Sequence, residues 1–190
     1  MVLTAPVRVV NDLELPAPGR YEIDPGHSTV GFEARHLMVT KVRGNFQQFS
    51  GAIEVGETYE DSRVAVEIDA ASIDSGNRER DNHLRTSDFL GVPDYPQLTF
   101  ESRAVRTERG KPVVDGDLTI RGVTRPVTLA CEFEGGVVDP WGEERIAFTG
   151  STQINREDWG MTWNVPMDGS KLLVSKDIKI VIDVQAVRAS

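Results

Sequence analysis

Alternation is the feature that most constrains this chain. Along most of its 190 residues apolar side chains recur at every second position, the period of a strand with one face buried, while helical spacing is scarce. Val30, Phe32 and Ala34 share one face, as do Val64, Val66 and Ile68, and Val127, Leu129, Cys131 and Phe133. The same pattern runs through Phe49, Gly51, Ile53 and Val55, through Leu98 and Phe100, and through Val114, Gly116, Leu118 and Ile120. Ile146, Phe148, Gly150, Thr152 and Ile154, then Ile178, Ile180, Ile182, Val184 and Ala186, bring the count of strands to eight. Eight short strands without the long helices of parallel crossovers leave an antiparallel sandwich or a closed barrel. Closure removes exposed edges and is the favoured form.

Local signals refine this all-β reading. Arg121-Gly122-Val123-Thr124 lies between two alternating runs, and its glycine suits the positive φ of a tight turn, so the flanking strands form an antiparallel hairpin. Phe46 and Phe49 are an odd distance apart and share a face only if a bulge intervenes near Gln47-Gln48. Residues 75–88 lack alternation, are rich in charge and offer Ser75 or Asn77 as an N-cap, which predicts a short surface helix in one connection. The helix runs into Phe89-Leu90-Gly91-Val92-Pro93-Asp94-Tyr95-Pro96, read as a flap over something apolar. Asn155 to Met167 is irregular and holds Trp159, Trp163, Met161 and Met167, residues too bulky and apolar for solvent. Residues 1–19, with Pro6, Pro16, Pro18 and Gly19, read as an N-terminal arm, and 20–190 as the barrel domain.

Charge narrows the partners. A net charge of −9 argues against nucleic acid and anionic membrane surfaces, which select basic proteins. One cysteine, Cys131, allows no disulfide framework within the chain and too few thiolates for a cysteine-based zinc site. The opening residues lack a basic n-region, and no stretch reaches 18 consecutive apolar residues, so no membrane span is expected and the expected compartment is the cytoplasm.

No catalytic motif stands out. Gly26-His27-Ser28-Thr29-Val30 comes nearest to the nucleophile elbow G-x-S-x-G, but Val30 replaces the closing glycine and a strand follows in place of a helix. A hydroxyl satisfying strand-end backbone groups is the favoured role for Ser28. His27, His36 and His83 are the only histidines, at spacings that specify no metal site. Among Asp24, Glu33, Asp81 and Asp88 no acid–base pair can be named, so neither a catalytic residue nor a metal ligand is assigned. The strongest constellation is apolar: Phe32, Phe46, Phe49, Phe89, Phe100, Trp159 and Trp163 form either an ordinary core or the wall of a cavity. An eight-stranded barrel is wide enough for one small ligand, and many inward positions are Val, Ala, Gly or Thr.

Several ordered blocks resemble a known family. Asp24-Pro25-Gly26-His27-Ser28-Thr29-Val30-Gly31-Phe32, His36-Leu37-Met38, Val42-Arg43-Gly44-Asn45-Phe46, Asn82 to Leu90 with Tyr95-Pro96, and Gly116 to Val127 look like the YceI family over about Tyr21 to Val187. The resemblance implies an extended, lipocalin-like eight-stranded antiparallel barrel holding a long polyisoprenoid or prenylated quinone, often as a homodimer, without catalysis and with no cofactor besides the lipid. On both grounds Val30, Phe32, Phe46, Phe49, Phe100, Trp159 and Trp163 are expected to line the site, with Phe89 and Leu90 in a flap. His27, His36 and Arg43 are the candidates for head-group contacts, because a polar head needs hydrogen-bond partners near the mouth. Two rival readings are a hydrolase or isomerase acting on an apolar substrate in the same cavity, and a protein-docking module using the Trp159–Trp163 loop.

Overall fold

The computed structural model describes residues 6–10, 13–167 and 172–189. The chain opens with a hairpin of β1 (Val7–Val10) and β2 (Leu13–Pro16), then runs into β3 (Gly19–Ile23), β4 (Thr29–His36), β5 (Thr40–Phe46) and β6 (Phe49–Val55). Next come β7 (Arg63–Asp69), the short β8 (Ile73–Asp74) and the single described α-helix, α1 (Arg78–Leu84). Five long strands complete the fold: β9 (Gln97–Glu108), β10 (Lys111–Ile120), β11 (Val123–Val138), β12 (Glu144–Asn155) and β13 (Asp177–Arg188).

The barrel is closed. The order β3-β6-β7-β9-β10-β11-β12-β13 returns to β3, so eight strands form an antiparallel ring. β13 pairs with β12 from Asp177 to Val187, and its other edge is divided, Lys179–Asp183 binding β4 and Ala186–Arg188 binding β3. That division follows from a kink between β3 and β4, where a 3₁₀ turn at Pro25–His27 is capped by the Asp24 carboxylate accepting from the Gly26 amide at 3.0 Å. Ser28 fills the resulting gap: its hydroxyl donates to the Gln185 carbonyl at 3.1 Å and accepts from the Gln185 amide at 3.0 Å. The side chain thus replaces missing ladder bonds, as a strand-end serine does.

A second break separates β5 from β6 at Gln47-Gln48, whose amides bond the Ser72 carbonyl and hydroxyl, each at 3.0 Å. The insertion flips the strand's parity, so Phe46 and Phe49 both face inward. The β10–β11 hairpin turns on Arg121 and Gly122, both with positive φ (52° and 69°), as a two-residue hairpin matched to strand twist requires. Close approach explains Gly116: a Cβ there would lie 2.5 Å from the Phe100 ring, which crosses the strand at that point. The polar helix α1 starts at Asn77, whose side chain accepts from the Arg80 amide at 3.0 Å.

The N-terminal hairpin packs by its second strand. Leu15 and Pro16 are buried, and the Tyr21 hydroxyl, on a fully buried side chain, donates to the Ala17 carbonyl at 2.9 Å. These contacts sit at the barrel end where β6 finishes and β7 begins. At the same end Arg145 bridges Asp24 and Asp139, each at 2.8 Å, and holds both carboxyls below the usual range. Stabilisation from depressed carboxyl pKa values exists above the unfolded value of about 3.9 and is lost as pH falls through the lower folded values. Arg145→Met is therefore expected to destabilise the protein at pH 7, where both carboxyls are charged and lose their shared cation. In denaturant melts the gap from wild type should close toward pH 2; a gap constant with pH would contradict this role.

Candidate functional site

The inward faces of the strands enclose a cavity of about 280 Å³. Its wall is built by the alternating residues: Val30 and Phe32 of β4, Phe46 and Phe49 across the β5–β6 break, Val64, Val66 and Ile68 of β7, Phe100 of β9, Leu118 of β10, Leu129 of β11, Phe148 and Ile154 of β12, and Ile178 to Val184 of β13. Aliphatic and aromatic carbon covers nearly all of it. One end is closed by Pro16, Tyr59 and Pro112. The other is closed by Leu84 at the end of α1, by Phe89 and Leu90 after it, and by Met161.

That second end is a tied flap. The Leu90 amide donates to the Leu84 carbonyl at 3.0 Å and the Val92 amide to the Arg85 carbonyl at 2.9 Å, folding the segment back on the helix. Arg121, held at the β10–β11 turn, donates to the Phe89 carbonyl at 2.9 Å and to the Gly160 carbonyl at 3.2 Å, joining the flap to the loop after β12. Phe89, His83 and Trp163 form an aromatic cluster, with His83 edge-on to both rings at 5.1 and 4.6 Å. His83 also pairs with Asp88 at 2.8 Å.

Arg156 is the one ionisable lining residue with a formal charge at neutral pH. It is 1% exposed, in the 3₁₀ turn Arg156–Trp159 that follows β12. Nε donates to the Ser175 carbonyl at 3.0 Å, Nη1 to the Met161 carbonyl, and the guanidinium lies 5.7 Å from the Phe89 ring centroid. Nη2 is the only buried side-chain nitrogen or oxygen without a hydrogen-bond partner among the described residues. Burial lowers the arginine's pKa, offset in part by the charge of Glu157, whose carboxylate is itself paired with Lys176 at 3.0 Å.

Seven of the expected lining residues meet on this wall: Val30, Phe32, Phe46, Phe49, Phe89, Leu90 and Phe100. The others lie elsewhere. Trp159 is 2% exposed but sits behind the wall, its Nε1 donating to the Leu118 carbonyl at 3.1 Å, and so props the flap end. That burial also removes Trp159 from any docking surface; the fully exposed tryptophan is Trp141 at 84%. Trp163 backs the flap cluster. His27 is on the outside, paired with Asp24 at 2.8 Å, because it falls in the β3–β4 kink. Arg43 is three residues from inward-facing Phe46 and therefore points outward, toward Glu33 at 3.4 Å. His36 keeps the parity of Phe32 and Ala34 but lies beyond the cavity, where its backbone bridges Val174.

Arg156 is the lining residue that no sequence motif marks. Its signal was present, since stepping by two from Thr152 and Ile154 reaches it, but a charge in an irregular segment gave no cue to burial. Cys131, another lining residue, also follows from its strand's alternation, and burial pushes its thiol up to about 11. Its thiolate population at neutral pH is then about a hundredfold below that of an ordinary thiol. A charged disulfide reagent should modify native protein at least a hundredfold more slowly than unfolded protein; equal rates would place the thiol in solvent.

Closed antiparallel topology, an internal apolar cavity and a flap define a small closed β-barrel with a hollow apolar interior. Residues 21–186 match the family model for the YceI-like domain, and the chain belongs to that family. It is 38% identical over 164 residues to a UPF0312 protein of Vibrio parahaemolyticus, covering 84% of this chain and 85% of that one. The structure of BcnA from Burkholderia cenocepacia superposes with a TM-score of 0.76 at 25% identity, covering 86% and 99% of the two chains. A domain from Saccharophagus degradans, described as polyisoprenoid binding and implicated in plant cell wall breakdown, shares the fold with a TM-score of 0.67 at 14% identity, covering 89% and 98%. Among the described residues no three His, Cys, Asp or Glu side chains gather as a metal-binding group, and no helix is long and apolar enough to cross a membrane.

Proposed function

We propose that this protein binds a long-chain isoprenoid lipid, a polyisoprenoid or prenylated quinone, inside the barrel and carries or stores it without chemical change. The observation behind this reading is the cavity wall, in which Arg156 is the only formally charged residue among the described ones. Each methylene moved from water onto such a wall contributes about 0.8 kcal/mol, so a branched hydrocarbon chain gains affinity along its length. The polyisoprenoid-binding description of the Saccharophagus degradans domain, which has the same fold, agrees with a chain of this kind. Ser28, the nearest approach to a nucleophile, is held by Gln185 in the strand ladder, which favours a binding protein over a hydrolase. A homodimer in the cytoplasm is part of this reading.

The test is titration of delipidated protein with the twenty-carbon isoprenoid alcohol geranylgeraniol, followed by calorimetry and native mass spectrometry. Saturable binding at a fixed stoichiometry, with the negative heat-capacity change of apolar burial, is expected. Failure to bind this alcohol and longer isoprenoids would overturn the proposal.

A further inference from the structure

The geometry points to Arg156 as the receptor for an anionic oxygen on the head of the cavity's ligand, a carboxylate or a phosphate ester at the end of the hydrocarbon chain. This rests on the lipid-binding reading and narrows it to an isoprenoid chain with an anionic head, against a prenylated quinone. A guanidinium offers five donors in a fixed fork, and here Nε and Nη1 are bound to backbone carbonyls while Nη2 has no partner among the described residues. A buried donor left unsatisfied, on a side chain 1% exposed, is costly, and natural proteins rarely carry one without a reason. The charge is only partly offset by Glu157. Both acceptors are neutral carbonyls, the Phe89 ring supplies only a quadrupole, and the neighbouring Glu157 is turned to Lys176.

An occupant supplies what the protein withholds. A neutral alcohol or ketone oxygen satisfies the hydrogen bond but leaves a buried positive charge unpaired. An oxyanion satisfies both, and charge-assisted bonds are about twice as strong as neutral ones. The position suits a head group, because Arg156 stands beside Phe89, Leu90 and Met161 at the flap end, leaving the remaining wall for the chain. The flap, tied through Arg121 to Gly160, then covers the head.

The experiment compares four probes with one chain: geranylgeranoic acid, its methyl ester, geranylgeraniol and geranylgeranyl monophosphate, each titrated into delipidated wild-type protein. At least one of the two anions should bind ten-fold or more tighter than ester and alcohol; which anion does so distinguishes a carboxylate from a phosphate head. In Arg156→Met the ratio of anion to alcohol affinity should fall to about one, and Arg156→Lys should restore part of that ratio. Equal affinity of all four probes for wild type would overturn the assignment and leave the lipid-binding reading standing, and so would an anion preference that survives in Arg156→Met. Failure of every probe would remove both. The wild-type comparison stands even if a variant does not fold.

Discussion

Phe32→Asp is expected to empty the barrel. Phe32 lies on the cavity wall and packs against Phe46, with ring centroids 6.2 Å apart. A carboxylate at this position has no cationic partner facing it from the wall except Arg156, on the loop after β12, and to remain charged it must keep water where a hydrocarbon chain would lie. Burying it against lipid costs several kcal/mol, so isoprenoid affinity should fall at least a hundredfold. The ladder bonds of β4 to β5 and β13 involve backbone alone and survive the change, and the site can hydrate once the chain is gone. Circular dichroism should therefore show a folded barrel, and Phe32→Leu should retain ligand. A folded Phe32→Asp protein with unchanged affinity would remove this part of the wall from the site.

The largest loss of stability is expected at Trp159. Its indole is 2% exposed, and its removal both opens a large void beside Leu118 and deletes the indole hydrogen bond to the Leu118 carbonyl. Trp159→Ala should cost about 3–5 kcal/mol, lowering the melting temperature by roughly 10 °C for a domain of this size. Trp141→Ala, at a site 84% exposed, should change stability by no more than about 0.5 kcal/mol. Denaturant unfolding of the two variants separates a structural prop from a surface aromatic. Similar small effects from both would show that Trp159 is not a prop, contrary to its burial.

The contrast between these two tryptophans marks where sequence reasoning stops. Strand alternation is a physical constraint with period two, so Val64, Val66 and Ile68, or Ile178 to Val184, announce both their element and the face they bury. The break at Gln47-Gln48 was legible for the same reason, because only a parity flip brings Phe46 and Phe49 together. The cap at Asn77 and the turn at Arg121-Gly122 followed from local hydrogen bonding and φ. Closure was less direct: it depends on β13 dividing one edge between β3 and β4, pairings between early strands and the last one that no local pattern encodes.

Side chains in irregular segments carry no period. Trp159 and His27 therefore looked equally available for ligand contact, although one is behind the wall and the other outside the barrel. Arg43 was different, since parity with Phe46 already directed it outward. Arg156 shows the converse: parity with Ile154 directed it inward, while its charge suggested solvent. Buried charge is rare enough that composition argues against it, and only the packing of Met161, Phe89 and Ser175 around the guanidinium reveals it.

The central claim is that the barrel carries a long hydrocarbon guest. Organic extraction of protein purified without detergent, with mass spectrometry of the extract and native mass spectrometry of the same sample, tests it most directly. A stoichiometric isoprenoid released by extraction, matched by a mass increment lost from the native ion, is the predicted result. A protein whose native mass equals its sequence mass, and which takes up no added isoprenoid, would contradict the account.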